Sequence, residues 1–160
     1  MDDAAVSSGL YAAFRAGGRL MALEAGAIDG IIKPPPVTPV PGAKDSLVGV
    51  INLRGEIVAL SDLAAVLGLR ASEYRAGDGE GAASGQAAGD QRRILVVSLG
   101  GEPAGLLVDA VYDVVSATPE SLKDAPPNLR GGEERWFSGA LDCQLGLAGI
   151  LDLSAVLAAC

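Results

Sequence analysis

Histidine is absent from this 160-residue chain. That removes histidine acid–base catalysis, Ser-His-Asp triads and histidine-ligated metal sites at a stroke. Aromatic residues are scarce at 4%, although apolar residues reach 49%, so the core must be built from Val, Leu, Ile and Ala. There are only two cysteines, Cys143 and Cys160. No C-x-x-C pair and no histidine stand by to complete a metal site with them. Cys143 reads as a small apolar residue buried in a strand-like run, and Cys160 as a frayed chain end. No apolar run approaches the ~18 residues of a membrane span, and the acidic opening Met1-Asp2-Asp3 lacks the basic start of a signal peptide. Basic residues are few: 12 Lys and Arg face 20 Asp and Glu, for a net charge of −8. Such a balance excludes a surface for nucleic acid or anionic lipid, both of which are held by clustered positive charge. A cytoplasmic, acidic, turn-rich domain is the expectation.

What is present is a set of short apolar runs punctuated by glycine. Residues 1–8 read as a loose tail. Leu10 to Arg15 and Leu20 to Leu23 flank Gly17-Gly18, a two-residue hairpin signal. Residues 25–32 fit a strand end or a helical turn equally well. The prolines at 34, 35, 36, 39 and 41 impose an extended segment. Leu47 to Leu53 and Ile57 to Leu60 surround Arg54-Gly55 and read as a hairpin buried on both faces. Asp62 then caps a short helix from Leu63 to Leu67. Residues 71–93 hold five glycines and six alanines, with Tyr74 the one large apolar side chain, and read as a flexible insert. Ile94 to Leu99, a Gly100-Gly101 turn and Ala104 to Val115 follow. The polar segment 116–138 is anchored by Trp136-Phe137. Leu141 to Leu151 is strand-like, and Asp152 caps a last helix, Leu153 to Leu157.

The chain repeats itself. Residues 49–67 overlay 139–157 without a gap, ending in a shared D-L-x-A-V-L. Residues 14–32 overlay 97–115, with Gly17-Gly18 on Gly100-Gly101. Two blocks in the same order imply two small β lobes of similar build, packed together with a groove between them.

Chemistry is thinly represented. The paired glycines lack the G-K-[ST] of a phosphate loop. Asp62 and Asp152 precede helix-like runs, which makes them caps rather than a catalytic carboxylate pair. No catalytic residue, metal ligand or cofactor site is expected. Arg54 stands apart as a charge between two apolar runs. The bland reading is a solvated turn residue; the functional one is a hot spot offering a forked donor at a groove edge.

Residues 47–58, Leu-Val-Gly-Val-Ile-Asn-Leu-Arg-Gly-Glu-Ile-Val, closely resemble the signature of CheW-like domains, the coupling proteins of bacterial chemotaxis. The stretch Thr38-Pro39-Val40-Pro41, Asp62-Leu63 and Gly105-Leu106-Leu107-Val108-Asp109 fit as well, and the resemblance spans about residues 9–157. It implies two five-stranded β-barrel lobes, intertwined in one domain, with short helices after Asp62 and Asp152. It also implies a non-catalytic adaptor at receptor arrays, docking the helical cytoplasmic tips of chemoreceptors and the regulatory domain of a CheA-type histidine kinase. Receptor-binding residues are expected at Ile28, Gly30, Ile31, Asn52, Arg54 and Gly55. Two positions depart from the pattern. Gly30 stands where the family carries a glutamate able to pair with the turn arginine, with Asp29 beside it, and Ala59-Leu60 replaces a common proline. The other readings are an adaptor of a pilus or other non-flagellar chemosensory system and, in a different class, a small ligand-binding β-barrel.

Overall fold

A computed structural model describes residues 9–69, 91–123 and 136–160. Eleven strands are defined among them: β1 (Gly9–Ala16), β2 (Arg19–Glu24), β3 (Ile28–Ile32), β4 (Leu47–Leu53), β5 (Glu56–Asp62), β6 (Arg93–Leu99), β7 (Glu102–Val108), β8 (Ala110–Ala117), β9 (Leu122–Lys123), β10 (Phe137–Cys143) and β11 (Gly146–Leu151). A single 3-10 turn, Ala25–Ala27, joins β2 to β3, which resolves the ambiguity of residues 25–32 into a turn and a strand. Two short helices, α1 (Leu63–Val66) and α2 (Leu153–Ala159), follow β5 and β11. The carboxylates of Asp62 and Asp152 accept from the N–H groups of Ala64 and Ala155, so both are N-caps as their position demands.

The strands form two sheets, ordered β3-β6-β7-β5-β4 and β8-β1-β2-β11-β10-β9. The repeat explains this order. The strands β1, β2, β3, β4 and β5 correspond to β6, β7, β8, β10 and β11, so each sheet takes three of these strands from one repeat and a hairpin from the other, with β9 added at the edge of the second. The hairpins have been exchanged. Parallel contacts β5·β7 and β11·β2 seal the exchange, and Leu60↔Gly105 is matched by its counterpart Ile150↔Ala22. Even the irregularities repeat: the register slips between Leu47 and Gly49 and again between Phe137 and Gly139. The turn glycines Gly17-Gly18 and Gly100-Gly101 all take positive φ, as a tight two-residue hairpin turn requires.

Three apolar clusters hold the molecule. The largest lies between the sheets and joins Phe14, Met21 and Leu23 to Leu95, Val97 and Leu106, with Leu63, Trp136 and Val156 from outside the strands. A smaller one fills each lobe: Ile51, Val58, Leu60 and Ile94 in the first, Tyr11, Leu141, Ala148 and Ile150 in the second. The exchanged hairpins carry large apolar side chains into this central cluster.

Closed barrels are not formed. Each sheet is an open ladder, and the outer edge of its last long strand is met by a further short segment. Thr38 exchanges both backbone hydrogen bonds with Val50 of β4, at 2.9 and 2.8 Å. On the other sheet β9 pairs with β10 at Ala140 and Leu141. The hairpin β4–β5 is not buried on both faces either: Ile57 is 64% exposed, opposite Asn52. The expected insert at 71–93 falls outside the described residues as far as position 90, while Arg93 already pairs with Val108. The tail 1–8 lies outside them too. Leu141 to Leu151 proves to be a hairpin rather than one strand. Its turn carries Cys143, which is half-buried, its thiol donating to the Gly146 carbonyl at 3.3 Å. Cys160 is free and tethered rather than frayed: Lys44 Nζ donates to the carbonyls of Ala159 and Cys160. Burial pushes its thiol pKa up, opposed by a hydrogen bond with Ser61 and the charge of Lys44.

Candidate functional site

Arg54 and Gly55 form the tip of the β4–β5 hairpin, both at positive φ, 54° and 84°. Arg54 is the one non-glycine residue with this geometry among those described. An L side chain in the left-handed region costs roughly 1–2 kcal/mol, so the arginine is carried there against local preference. Asn52 fastens the turn, its Oδ1 accepting from Gly55 N–H at 2.9 Å. Asn52 and Gly55 thus shape the loop that presents Arg54, and both are exposed.

A cleft of about 180 Å³ opens beside this turn, lined by Asp29, Gly30, Ile32, Leu53, Arg54, Glu56, Val96 and Pro103. All five strands of the first sheet contribute to it, together with the β4–β5 turn. A β-bulge at Asp29, where Ile28 faces Val97 but Gly30 faces Val96, turns both Asp29 and Gly30 to the same opening. Arg54 forms no ion pair with Asp29 or any other described residue. A Cβ built on Gly30 would meet nothing within 4 Å, so the glycine leaves open the room a longer side chain would use.

The structure therefore brings Gly30 and Arg54 together at the cleft, keeps Asn52 and Gly55 in the turn that carries Arg54, and sets Ile28 and Ile31 apart from it. Ile28 packs against the main core between the sheets. Ile31, 43% exposed, lies outside the cleft lining. Ile32, Val96, Pro103 and Glu56 were not singled out from the sequence. Strand alternation pointed to Ile32, as the next residue on Gly30's face. Val96 and Pro103 were hidden because they reach the site only through the hairpin exchange that sets β6 beside β3.

At the second lobe's own β10–β11 turn, Gln144 and Leu145 replace Arg54 and Gly55. Otherwise the hairpins agree closely: the burial of residues 51–60 and 141–150 differs at one position, Ala59 against Gly149. A wider cleft of about 280 Å³ lies where the second sheet hands the chain to the first. It is lined by residues of β1, β2, the 3-10 turn, β10, β11 and the start of α2, among them Tyr11, Leu23, Glu24, Ile150, Asp152 and Leu153. No group of three or more metal-ligating side chains occurs among the described residues. None of their helices is long and apolar enough to cross a membrane.

This is a two-lobed β protein with exchanged hairpins, an apolar build and one arginine held at a cleft: the class of a docking module. Residues 11–160 match the CheW-like domain family, and the chain belongs to that family. It is 28% identical over 144 residues to the chemotaxis protein CheW of Rhizobium meliloti (strain 1021), covering 90% of this chain and 84% of that one. It is 30% identical to the protein PilI of Pseudomonas aeruginosa (strain PAO1), covering 84% and 68%. The crystal structure of the scaffolding protein TtCheW from Thermoanaerobacter tengcongensis superimposes with a TM-score of 0.72 at 24% identity, over 90% of this chain and 88% of that one. The class of function is that of a chemotaxis adaptor.

Proposed function

We propose that the chain is a non-catalytic coupling protein that docks the helical cytoplasmic tip of a chemoreceptor at the Arg54 cleft. Another part of its surface holds the regulatory domain of a CheA-type histidine kinase. It works in the cytoplasm, at receptor arrays. The observation that carries the reading is Arg54 itself: exposed, held at positive φ, unpaired among the described residues, and beside a cleft walled by Ile32, Leu53, Val96 and Pro103 as well as Asp29 and Glu56. A forked donor in such a setting suits a helix laid in a groove, where apolar contacts supply affinity and one oriented charge supplies register. Gly30, Arg54 and Ile32 would contact the receptor, while Asn52 and Gly55 hold the turn. Ile31 extends the contact as an exposed apolar neighbour, and Ile28 supports β3 from the core. Contacts of micromolar strength, about −8 kcal/mol, suffice because an array multiplies them.

The test is the affinity of a receptor cytoplasmic fragment for the wild-type chain and for Arg54→Ala. Loss of a hot spot worth about 2 kcal/mol lowers affinity roughly 30-fold with the melting temperature unchanged. Unchanged affinity removes Arg54 from the site. The likeness to PilI favours a second reading, the same adaptor role in a pilus or other non-flagellar chemosensory system; binding to the receptors of each system from one genome separates the two.

A further inference from the structure

Residues 33–41, Lys-Pro-Pro-Pro-Val-Thr-Pro-Val-Pro, lie between β3 and β4 and outside the lining of the Arg54 cleft. The prolines hold φ near −65°, and the residues that precede them are confined to extended backbone. Such a chain winds as a polyproline II helix with three residues per turn, so positions three apart share an edge.

Burial follows that period. On one edge Pro34 and Val37 are buried, Val37 among Ile51, Val58 and Leu60. On the next, Lys33, Pro36 and Pro39 are all exposed. On the third, Pro35 is half-buried and Thr38 and Pro41 are exposed. Thr38 fixes the segment by its two backbone bonds to Val50. One edge therefore rests on the first lobe and two face outward.

The outward edges carry the chemistry by which proline-rich segments are recognised. An aromatic-lined groove takes a P-x-x-P segment as two pairs, each a proline with the residue before it. Here the pairs are Pro35-Pro36 and Thr38-Pro39, on the two outward edges. The positions between them that would point away from the groove, Pro34 and Val37, are the ones the chain has buried in itself. Lys33 stands three residues ahead of Pro36 on the same edge and makes no hydrogen bond or ion pair with any described residue. Its charge is complementary to a carboxylate at the end of such a groove. The carbonyls of Pro35, Pro36 and Val37 accept no hydrogen bond from any described residue, so they remain available to donors on a partner. Proline offers no N–H, which suits a groove rather than an added strand. Because the segment is already held, docking orders little new chain.

We infer that residues 33–39 are a docking ligand for a polyproline-reading protein module, one with an aromatic-lined groove and an acidic residue that receives Lys33. This surface is separate from the Arg54 cleft and does not depend on the adaptor reading. The probes are purified SH3 domains that read a basic residue three positions ahead of P-x-x-P, titrated with the full chain by calorimetry. At least one domain binds saturably, and replacing the tryptophan of its groove by alanine abolishes the binding. Pro36→Ala and Pro39→Ala each weaken it about tenfold. Lys33→Ala weakens it about fivefold at low salt, and the difference shrinks as salt is added. Val40→Ala, off the two recognised pairs, leaves it unchanged. The replaced side chains are exposed, and unchanged melting temperatures show that the fold is kept. No saturable binding to any of the domains, binding that survives loss of the groove tryptophan, or indifference to Pro36→Ala and Pro39→Ala overturns the inference.

Discussion

Arg54 occupies a backbone conformation that glycine adopts at less cost, beside a glycine that shares it. A turn selected for stability alone would carry Gly, Asn or Asp at that position. The resulting expectation is specific. Arg54→Gly raises the stability of the fold by up to ~1 kcal/mol, as relief of the strained φ outweighs the added freedom of the unfolded chain. Receptor affinity falls as it does for Arg54→Ala. Denaturant titration and a binding isotherm on the same sample check both halves; a marked loss of stability would make Arg54 a structural residue. Much of this residue's meaning is legible in the sequence, since a charge between two apolar runs needs a reason. Its positive φ is not, because arginine there runs against the propensity from which turns are read.

At the scale of elements, the glycines of the repeat show what the chain reserves for close approach. The strands β4 and β10 each carry a glycine, Gly49 and Gly139, at the point where another segment, the proline-rich stretch or β9, comes against their outer edge. A Cβ on Gly49 would collide with the Thr38 carbonyl, and one on Gly139 would lie 2.9 Å from that of Lys123. Both neighbours are backbone, which yields less readily than a side-chain tip. Gly49→Ala therefore costs about 1–3 kcal/mol by displacing the proline-rich segment and its two bonds to Val50. Gly139→Ala costs less. Thermal melts of the two variants rank them; equal effects would mean the segments give way without resistance. The overlay of residues 49–67 on 139–157 makes this glycine pair visible in the sequence. Barrel closure is another matter. The proline-rich segment reads as extended, yet nothing in its composition says that it pairs with β4.

The whole molecule is one body because of the exchange of hairpins. The first sheet is contiguous in sequence, from β3 to β7, whereas the second joins β1 and β2 to β8–β11 across it. Neither sheet buries its inner face without the other, since Phe14, Met21 and Leu23 pack on Leu95, Val97 and Leu106. The duplication announces two lobes of one build. It does not announce which strand of each repeat crosses over, because apolar alternation is the same in either partner. The same ambiguity hid Val96 and Pro103 from the site.

Bridging is the central claim, and cosedimentation reads it directly. Receptor-bearing membranes are mixed with a CheA-type kinase and the chain, then pelleted. The account predicts that the kinase enters the pellet with the wild-type chain and stays in the supernatant without it. With Arg54→Ala the kinase also stays behind, although that variant still binds the kinase in solution. Kinase that pellets equally with no chain present, or equally with Arg54→Ala, would contradict the account.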